Sequence, residues 1–370
     1  MSARFLTVVL ERAFNMRDGF GREIDYMRIS VIDSCNLNCY YCNPCDNNEH
    51  CHALNILSVK EVLCIVRAAT RLGIKHFRLT GGEPLLHPQL DEMVLQIKKI
   101  PGVSSVSLTT NAVLLVQHAK WLKEAGIDSI NVSLDTIDAS EYERITKKPL
   151  LEEVKHGINA AIECGIRVKI NVVLTPQTDV VALTRYVAKK GTDIRFIEMM
   201  PVGEGHTNGV EPYKKVIGTL SKLYGEPCRI NTEKTKEINS GNDKHKIPDN
   251  GPAEYYIFPE LGIRVGLIQA IHGKFCDTCN RIRVTADGRL MPCLGSSVTM
   301  DLVPDSWDFA DDVEKDFSIV RALRAAIKAK PRCHNFNDNA VTYTKTTETK
   351  TTEIEAAEVN AARNMSRIGG

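Results

Sequence analysis

Residues 27–42 read MRISVIDSCNLNCYYC, an apolar run rich in β-branched residues followed at once by three cysteines. The run Met27–Ile32 predicts a buried strand that ends shortly before the cysteines begin. The cysteines have the spacing C-x3-C-x2-C and are Cys35, Cys39 and Cys42. Three thiolates on one short loop can bind three corners of a [4Fe–4S] cluster, which leaves the fourth iron open to another ligand. Inert buried cysteines and a zinc knuckle are the alternatives.

The same succession of strand and helix repeats as far as about residue 200. Further β-rich runs predict strands at His76–Thr80, Val103–Leu108, Ser129–Ser133, Arg167–Val173 and Ile194–Glu198. Helices are predicted at Ser58–Leu72, Leu90–Ile100, Leu114–Glu124, Leu151–Cys164 and Val180–Lys189. The first of these helices begins with a capping box, formed by Ser58 and Glu61. This βα series predicts a parallel sheet, open or closed into a barrel, with ligands at the carboxyl ends of its strands.

The character of the sequence changes after about residue 225. A polar stretch, residues 231–252, reads as a linker or long loop. Strands are then predicted at Tyr255–Phe258, Ile263–Ile268 and Ile282–Thr285, and a helix at Val313–Lys328. Residues 340–364 are rich in Thr, Glu and Lys, and we expect them to be poorly ordered. The predicted division is a domain at residues 1–225, a second at 226–340 and a flexible segment at 341–370.

A second group of three cysteines lies in the predicted C-terminal domain, with the spacing C-x2-C-x13-C. These residues are Cys276, Cys279 and Cys293. Three thiolates without an evident fourth suit a second iron–sulfur cluster with an open iron. They also suit a zinc ribbon, whose fourth ligand would come from Cys333, His334 or His272.

Charge and hydropathy exclude several classes of protein. The 370-residue chain carries 47 basic and 46 acidic residues, whereas a nucleic-acid binder would show a larger basic excess. No apolar run approaches the roughly 20 residues that cross a bilayer, and residues 1–16 do not resemble a secretory signal. We therefore expect a cytoplasmic protein that binds neither nucleic acid nor membrane. An anionic ligand would need a local cluster of basic side chains, and Arg281 and Arg283 share one face of a predicted strand.

The motif Gly81-Gly82-Glu83-Pro84 follows the second predicted strand. Paired glycines let the backbone approach a ligand, and the carboxylate can accept hydrogen bonds from an ammonium group. A plain strand-ending turn would use the same residues. Placed one βα unit after C-x3-C-x2-C, the motif makes this half of the chain similar to the radical S-adenosylmethionine (SAM) superfamily. That resemblance favours a second [4Fe–4S] cluster over zinc at the C-terminal triad.

With both triads taken together, the chain resembles the GTP 3′,8-cyclase family, which performs the first step of molybdopterin biosynthesis. The agreeing segments are Asp18–Arg22, Arg78–Leu85, Leu108–Asn111, Ile130–Asp135, Val168–Val173, Arg195–Met200 and Met365–Gly370. The last of these is similar to the family's double-glycine tail, which reaches into the active site. Ala112 is a departure, since the family more often has glycine there. Cys45 and Cys51, just beyond the first triad, read as loop residues.

The resemblance implies roles for individual residues. The implied SAM contacts are Tyr41, Gly82, Glu83, Ser133 and Met200. The implied GTP contacts are Arg22, Arg78, Thr109, Lys169, Arg281 and Arg283. The implied ligands of two [4Fe–4S] clusters are Cys35, Cys39 and Cys42 for the first and Cys276, Cys279 and Cys293 for the second. The first triad, Arg281 and Arg283 are the implied catalytic groups. GTP carries about four negative charges, which suits a mainly cationic set of contacts.

The implied fold is α/β: a partial, open (βα)6 TIM-like barrel with a smaller α+β C-terminal domain. In the implied reaction, a 5′-deoxyadenosyl radical removes the C3′ hydrogen of GTP and the ribose radical attacks C8 of guanine. The family also implies a homodimer and a downstream partner, cyclic pyranopterin monophosphate synthase. The alternatives are a radical SAM paralogue that modifies a peptide and a non-enzymatic metal-binding protein. A peptide modifier would need neither Lys169 nor the arginine pair.

Overall fold

The apolar run after residue 25 forms the first strand of a parallel series. The structure is a computed structural model that describes residues 16–42, 54–202, 209–230, 251–296, 298–302, 312–334 and 336. The strands of the series are β1 Tyr26–Ser30, β2 His76–Thr80, β3 Ser105–Thr110, β4 Ser129–Ser133, β5 Arg167–Leu174 and β6 Asp193–Glu198. Each pairs in parallel with the next. Helices connect them, as parallel pairing requires.

The connecting helices cover the outer face of this sheet. They are α1 Val59–Thr70, α2 Leu90–Lys98, α3 Leu115–Glu124, α4 Ala139–Thr146, α5 Leu151–Glu163 and α6 Val180–Lys189. The capping box of α1 is confirmed, because Ser58 Oγ accepts from Glu61 N at 3.3 Å and Glu61 Oε2 accepts from Ser58 N at 2.6 Å. Helix α4 was not predicted; it is short and polar, and Asp138 caps it by accepting from Glu141 N at 2.8 Å.

The C-terminal elements extend both edges of the same sheet. They are α7 Gly218–Tyr224, β7 Cys228–Ile230, β8 Glu254–Ile257, β9 Arg264–Ile268, β10 Arg281–Val284, β11 Arg289–Met291, β12 Met300–Asp301 and α8 Asp312–Lys328. Strand β9 pairs in parallel with β6, and β10 pairs in parallel with β1. The strand order is β12-β11-β10-β1-β2-β3-β4-β5-β6-β9-β8-β7, so the sheet is open rather than closed. The expected open parallel barrel is confirmed.

The side chains of successive residues in each strand point to opposite faces of the sheet. On β1, Met27 and Ile29 are fully buried in the core beneath the helices, while Arg28 between them lines the inner, concave face.

None of the helices in the described part of the chain is long and apolar enough to cross a membrane. The predicted loop cysteines Cys45 and Cys51, the segment 340–364 and the tail Gly369-Gly370 lie outside the described residues.

Candidate active site

The concave face of the sheet encloses a cavity of about 620 Å³. Its wall includes both cysteine triads, namely Cys35, Cys39, Cys42, Cys276, Cys279 and Cys293. The first triad follows the carboxyl end of β1, and Cys279 lies just before the amino end of β10. Because β1 and β10 are parallel and Tyr26 pairs with Arg281, the two triads lie at opposite ends of this strand pair. The space between them is lined by inward-facing strand residues.

The two glycines after β2 pack against the loop that carries the first triad. Gly82 N donates to Ile32 O at 2.7 Å, and Glu83 N donates to Ser34 O at 2.8 Å. A Cβ atom on Gly82 would lie 2.1 Å from Ser34 O, and one on Gly81 would lie 2.4 Å from Ile32 O. Paired glycines at this position are expected where the backbone approaches a ligand closely. The structure gives them a second purpose, which is to let the cysteine loop pack against the end of β2.

Glu83 is buried and joins this loop to β3. Its carboxylate accepts from Thr110 Oγ1 at 2.7 Å, from Asn111 N at 2.7 Å and from Leu85 N at 3.0 Å. Burial raises the pKa of Glu83 to about 7, although these donors oppose the shift. Its predicted contact with the SAM amino group stays a prediction.

Asn111 and Asp135 were not singled out as site residues, yet both contact the first triad's loop. Asn111 Nδ2 donates to Asn36 Oδ1 at 2.7 Å and lies 3.8 Å from Cys35 Sγ. The Tyr41 hydroxyl donates to Asp135, whose other oxygen accepts from a backbone N–H of β5 at 2.8 Å. Burial raises the pKa of Asp135 to about 6. Asn111 directly follows β3 and Asp135 lies two residues after β4, and this position at the carboxyl ends of strands is the signal that could have identified them.

The thiols of the first triad are half-buried, and within the described part of the chain no group of three or more His, Cys, Asp or Glu side chains is arranged to hold a metal ion. Burial raises the pKa of Cys35 to about 11 and that of Cys39 well above its usual range. A buried thiolate is therefore favoured only beside a strong positive charge, such as the iron of a cluster. The cavity wall also holds Oδ1 of Asn131, which is buried without a hydrogen-bond partner among the described residues and suits a polar ligand.

A layer of cations lies between the two triads. It consists of Arg28, Arg78, Lys169, Arg195, Arg281 and Arg283, all in the cavity wall. Strand register places Arg28 beside both Arg78 and Arg283. Burial, and then the charges of these two neighbours, lower the pKa of Arg28 well below its usual range. Burial and Arg281 lower the pKa of Arg283 to about 10. Like charges repel, so an anionic ligand bound in this cavity would be stabilised by the layer.

Arg22 is the exception among the predicted site residues, because it does not line this cavity. Its guanidinium forms a salt bridge with Asp18 at 2.5 Å and donates to three backbone carbonyls elsewhere. The arginine that does face the cavity near the first strand is Arg28, which the sequence analysis missed. The alternation of β1 could have identified it, since Arg28 stands between two apolar residues that face the opposite side.

The other predicted site residues lie in the cavity wall, and their predicted contacts with SAM and GTP stay predictions. These residues are Tyr41, Gly82, Glu83, Ser133, Met200, Arg78, Thr109, Lys169, Arg281 and Arg283. At the second triad, burial opposes ionisation of Cys279, but Arg281 and Lys330 lower its pKa to about 7. Cys276 begins a short 3-10 turn, and Cys279 N donates to Cys276 O at 3.2 Å. The neighbouring cations thus favour the thiolate of Cys279, whereas burial raises the pKa of Cys276.

Comparison with known proteins agrees with this geometry. Residues 29–182 match the Radical SAM superfamily, and residues 192–336 match the family described as Molybdenum Cofactor Synthesis C. An open parallel barrel with a cysteine triad after its first strand defines a radical SAM protein. The GTP 3',8-cyclase of Clostridium perfringens (strain SM101 / Type A) is 35% identical over 324 residues, which are 87% of this chain and 95% of that protein. The one from Peptoclostridium acidaminophilum is 37% identical over 328 residues, 87% of this chain and 94% of that one. The chain belongs to the GTP 3′,8-cyclase family.

Solved structures share the fold. Streptococcus suis SuiB bound to S-adenosylmethionine superimposes with a TM-score of 0.55 at 14% identity, over 82% of this chain and 68% of that one. Native anSMEcpe with bound AdoMet and Cp18Cys peptide gives a TM-score of 0.51 at 17% identity, over 82% of this chain and 83% of that one. At this level of identity the likeness concerns the fold alone.

Proposed function

We propose that this chain converts GTP to (8S)-3′,8-cyclo-7,8-dihydroguanosine 5′-triphosphate, the lyase reaction of its family in molybdenum cofactor biosynthesis. The observation that carries the proposal is the layer of buried and half-buried cations between two cysteine triads in one cavity. A nucleoside triphosphate carries about four negative charges, which such a layer can balance.

The two triads are the proposed ligands of two [4Fe–4S] clusters. Cys35, Cys39 and Cys42 would hold the first cluster, and Cys276, Cys279 and Cys293 would hold the second; all six line the same cavity. SAM bound at the first cluster would, after one-electron reduction by external dithionite and with methionine as the leaving group, supply a 5′-deoxyadenosyl radical able to remove the C3′ hydrogen of GTP. The proposed SAM contacts are Tyr41, Gly82, Glu83, Ser133 and Met200. Asp135 orients Tyr41, because its carboxylate accepts from the Tyr41 hydroxyl.

The chain's own contribution is to bind and orient the nucleotide. The proposed phosphate contacts are Arg28, Arg78, Lys169, Arg281 and Arg283, which line the cavity. Thr109 adds a hydroxyl, to which Arg78 Nη1 donates at 3.4 Å. Arginine forks bind phosphates with defined geometry, so they restrict the position of the ribose as well as holding the charge. The enclosed site also limits the access of water to a reactive radical.

The test is an anaerobic assay on reconstituted protein. Wild type is incubated with dithionite, SAM and GTP, and 5′-deoxyadenosine and the nucleotide are followed by mass spectrometry. We expect 5′-deoxyadenosine to form in step with a cyclised isomer of GTP. Cys39→Ala should abolish both products. The control is Cys164→Ala, which replaces a half-buried cysteine at the carboxyl end of α5 and should retain both products. Cleavage of SAM that is indifferent to GTP would contradict the substrate and favour a peptide-modifying paralogue.

Two further proposals concern partners. We propose that the chain forms a homodimer and that its product passes to a cyclic pyranopterin monophosphate synthase. Light scattering after gel filtration tests the first, with a monomer mass at micromolar concentration contradicting it. Addition of that synthase to the assay tests the second, since it should consume the cyclised nucleotide.

A further inference from the structure

Two buried cations, Arg22 and Lys330, contact the segments that carry the second triad. Arg22 is 8% exposed and Lys330 is 2% exposed. Neither was predicted to act at the second triad. Both use their donors on backbone carbonyls of the chain itself, so their contacts differ from those expected of a substrate-binding cation.

Arg22 joins three parts of the chain. Its Nη1 donates to Cys276 O at 2.7 Å and to Arg332 O at 2.9 Å, and its Nη2 donates to Pro331 O at 2.6 Å. The salt bridge to Asp18 orients the guanidinium. One side chain near the start of the chain therefore holds the first cysteine of the second triad against the segment after α8.

Lys330 lies at the beginning of that same segment. Its Nζ donates to Arg281 O at 2.7 Å and to Pro292 O at 2.9 Å. Arg281 is two residues after Cys279, and Pro292 directly precedes Cys293. The ammonium group thus ties together the two strands of the β10–β11 hairpin at the end where both cysteines lie.

We infer that Arg22 and Lys330 are positioning residues that together hold the three cysteines of the second triad in the arrangement a cluster requires. This inference rests on the proposed function, because it assumes a cluster at that triad. The three cysteines come from two separate loops, and no described strand pairing joins Cys276 to Cys293 directly. The two cations supply that connection through the carbonyls of Cys276, of Arg281 two residues after Cys279, and of Pro292 next to Cys293. Their charges also offset the negative charge of cluster thiolates.

The test compares the stability of the second cluster in full-length variants. Lys330→Met removes the ammonium group while keeping the length of the side chain, and Arg22→Lys keeps a charge but not the fork that reaches three carbonyls. Matched controls are Lys328→Met and Arg324→Lys, which are exposed on α8. Three quantities are measured without SAM or GTP. They are the iron content per chain, the electron paramagnetic resonance signal of each reduced cluster and the rate of iron release to a chelator.

We expect wild type and both controls to hold about eight iron atoms per chain. In Lys330→Met and Arg22→Lys, the iron of the second cluster should be released at least tenfold faster, while the signal of the first cluster persists. Release rates equal to those of the controls would overturn the inference. If Lys330→Met lost both clusters together with its circular dichroism spectrum, Arg22→Lys would decide. A wild type with only about four iron atoms would instead refute the proposed second cluster itself.

Discussion

Arg22 and Arg28 are close in the sequence, but their guanidinium groups lie in different environments and make different contacts. Arg28 lies within β1 and faces a cavity wall that also contains Arg78 and Arg283. Arg22 precedes the strand and is surrounded by Asp18 and backbone carbonyls. Arg28 therefore faces several other cations, whereas Arg22 is paired with a carboxylate. Substitution of the two residues should therefore affect different properties.

Arg28→Met should weaken GTP binding by roughly 10- to 100-fold, because a charged hydrogen bond contributes about 1.5–3 kcal/mol. Iron content should stay at the wild-type value, since Arg28 lies in a strand and not in a cysteine loop. Equilibrium binding of GTP to the anaerobic protein measures the effect, with the exposed Arg324→Met as a control. Unchanged affinity would remove Arg28 from the substrate site.

Glu83 should make the stability of cluster-free protein depend on pH. Burial raises its pKa from 4.5 to about 7 in the folded chain, so the folded state binds a proton that the unfolded state releases. The resulting stability is present below about pH 4.5 and is lost as pH rises through about 7. Relative to Glu83→Gln, wild type should lose up to about 1.4 kcal/mol per pH unit in this window. Urea unfolding from pH 5 to 8 measures this, and parallel curves for the two proteins would contradict it.

At the scale of elements, the end of β2 and the first cysteine loop form one unit. Gly82 and Glu83 donate backbone hydrogen bonds to the loop, and the Glu83 carboxylate binds the residues after β3. Local sequence predicted the strand bounds of β2 and β4 correctly. It placed β3 two residues early, because Val103 N closes a turn onto Ile100 O and the strand begins later, at Ser105.

Gly82→Ala should disturb this unit strongly. The new methyl group would lie 2.1 Å from Ser34 O and 2.6 Å from Asp33 O, so the cysteine loop must move. We expect a loss of about 3 kcal/mol in unfolding free energy and failure to retain the first cluster. Thermal unfolding and iron content measure the two effects. Gly218→Ala is the matched control. A Cβ on Gly218 would have no neighbour within 4 Å, and its φ of −61° is helical, so the substitution should stabilise the protein slightly. Equal behaviour of the two variants would contradict the packing argument.

Ala112 illustrates a local requirement that the resemblance identified without explaining. Its φ is +67°, a left-handed conformation that favours glycine, and its side chain is fully buried. Thr110 Oγ1 accepts from Ala112 N at 2.9 Å, which helps to hold this turn after β3. The neighbouring Gly157 is also required, since a Cβ there would lie 2.3 Å from Ala112 O.

At the scale of the whole molecule, the described C-terminal strands extend the N-terminal sheet on both sides. β10 pairs with β1 and β9 pairs with β6. We therefore expect the two predicted domains to unfold together, because separating them would expose two long strand edges. Calorimetry of the cluster-free chain should show one transition, coincident with the change in circular dichroism. Two resolved transitions would show that the halves are independent.

The sequence by itself determined the alternation of strands and helices, the two cysteine triads and the family, because these depend on local periodicity and on spacing along the chain. Only the tertiary structure decided which basic residues face the cavity and which instead bind backbone carbonyls of the segments that surround it. Arg22 meets the carbonyl of Cys276 across 254 residues, and β1 acquires a neighbour, β10, from the far end of the chain. Such contacts depend on how the strands are ordered in the sheet, and no local pattern of residues specifies that order.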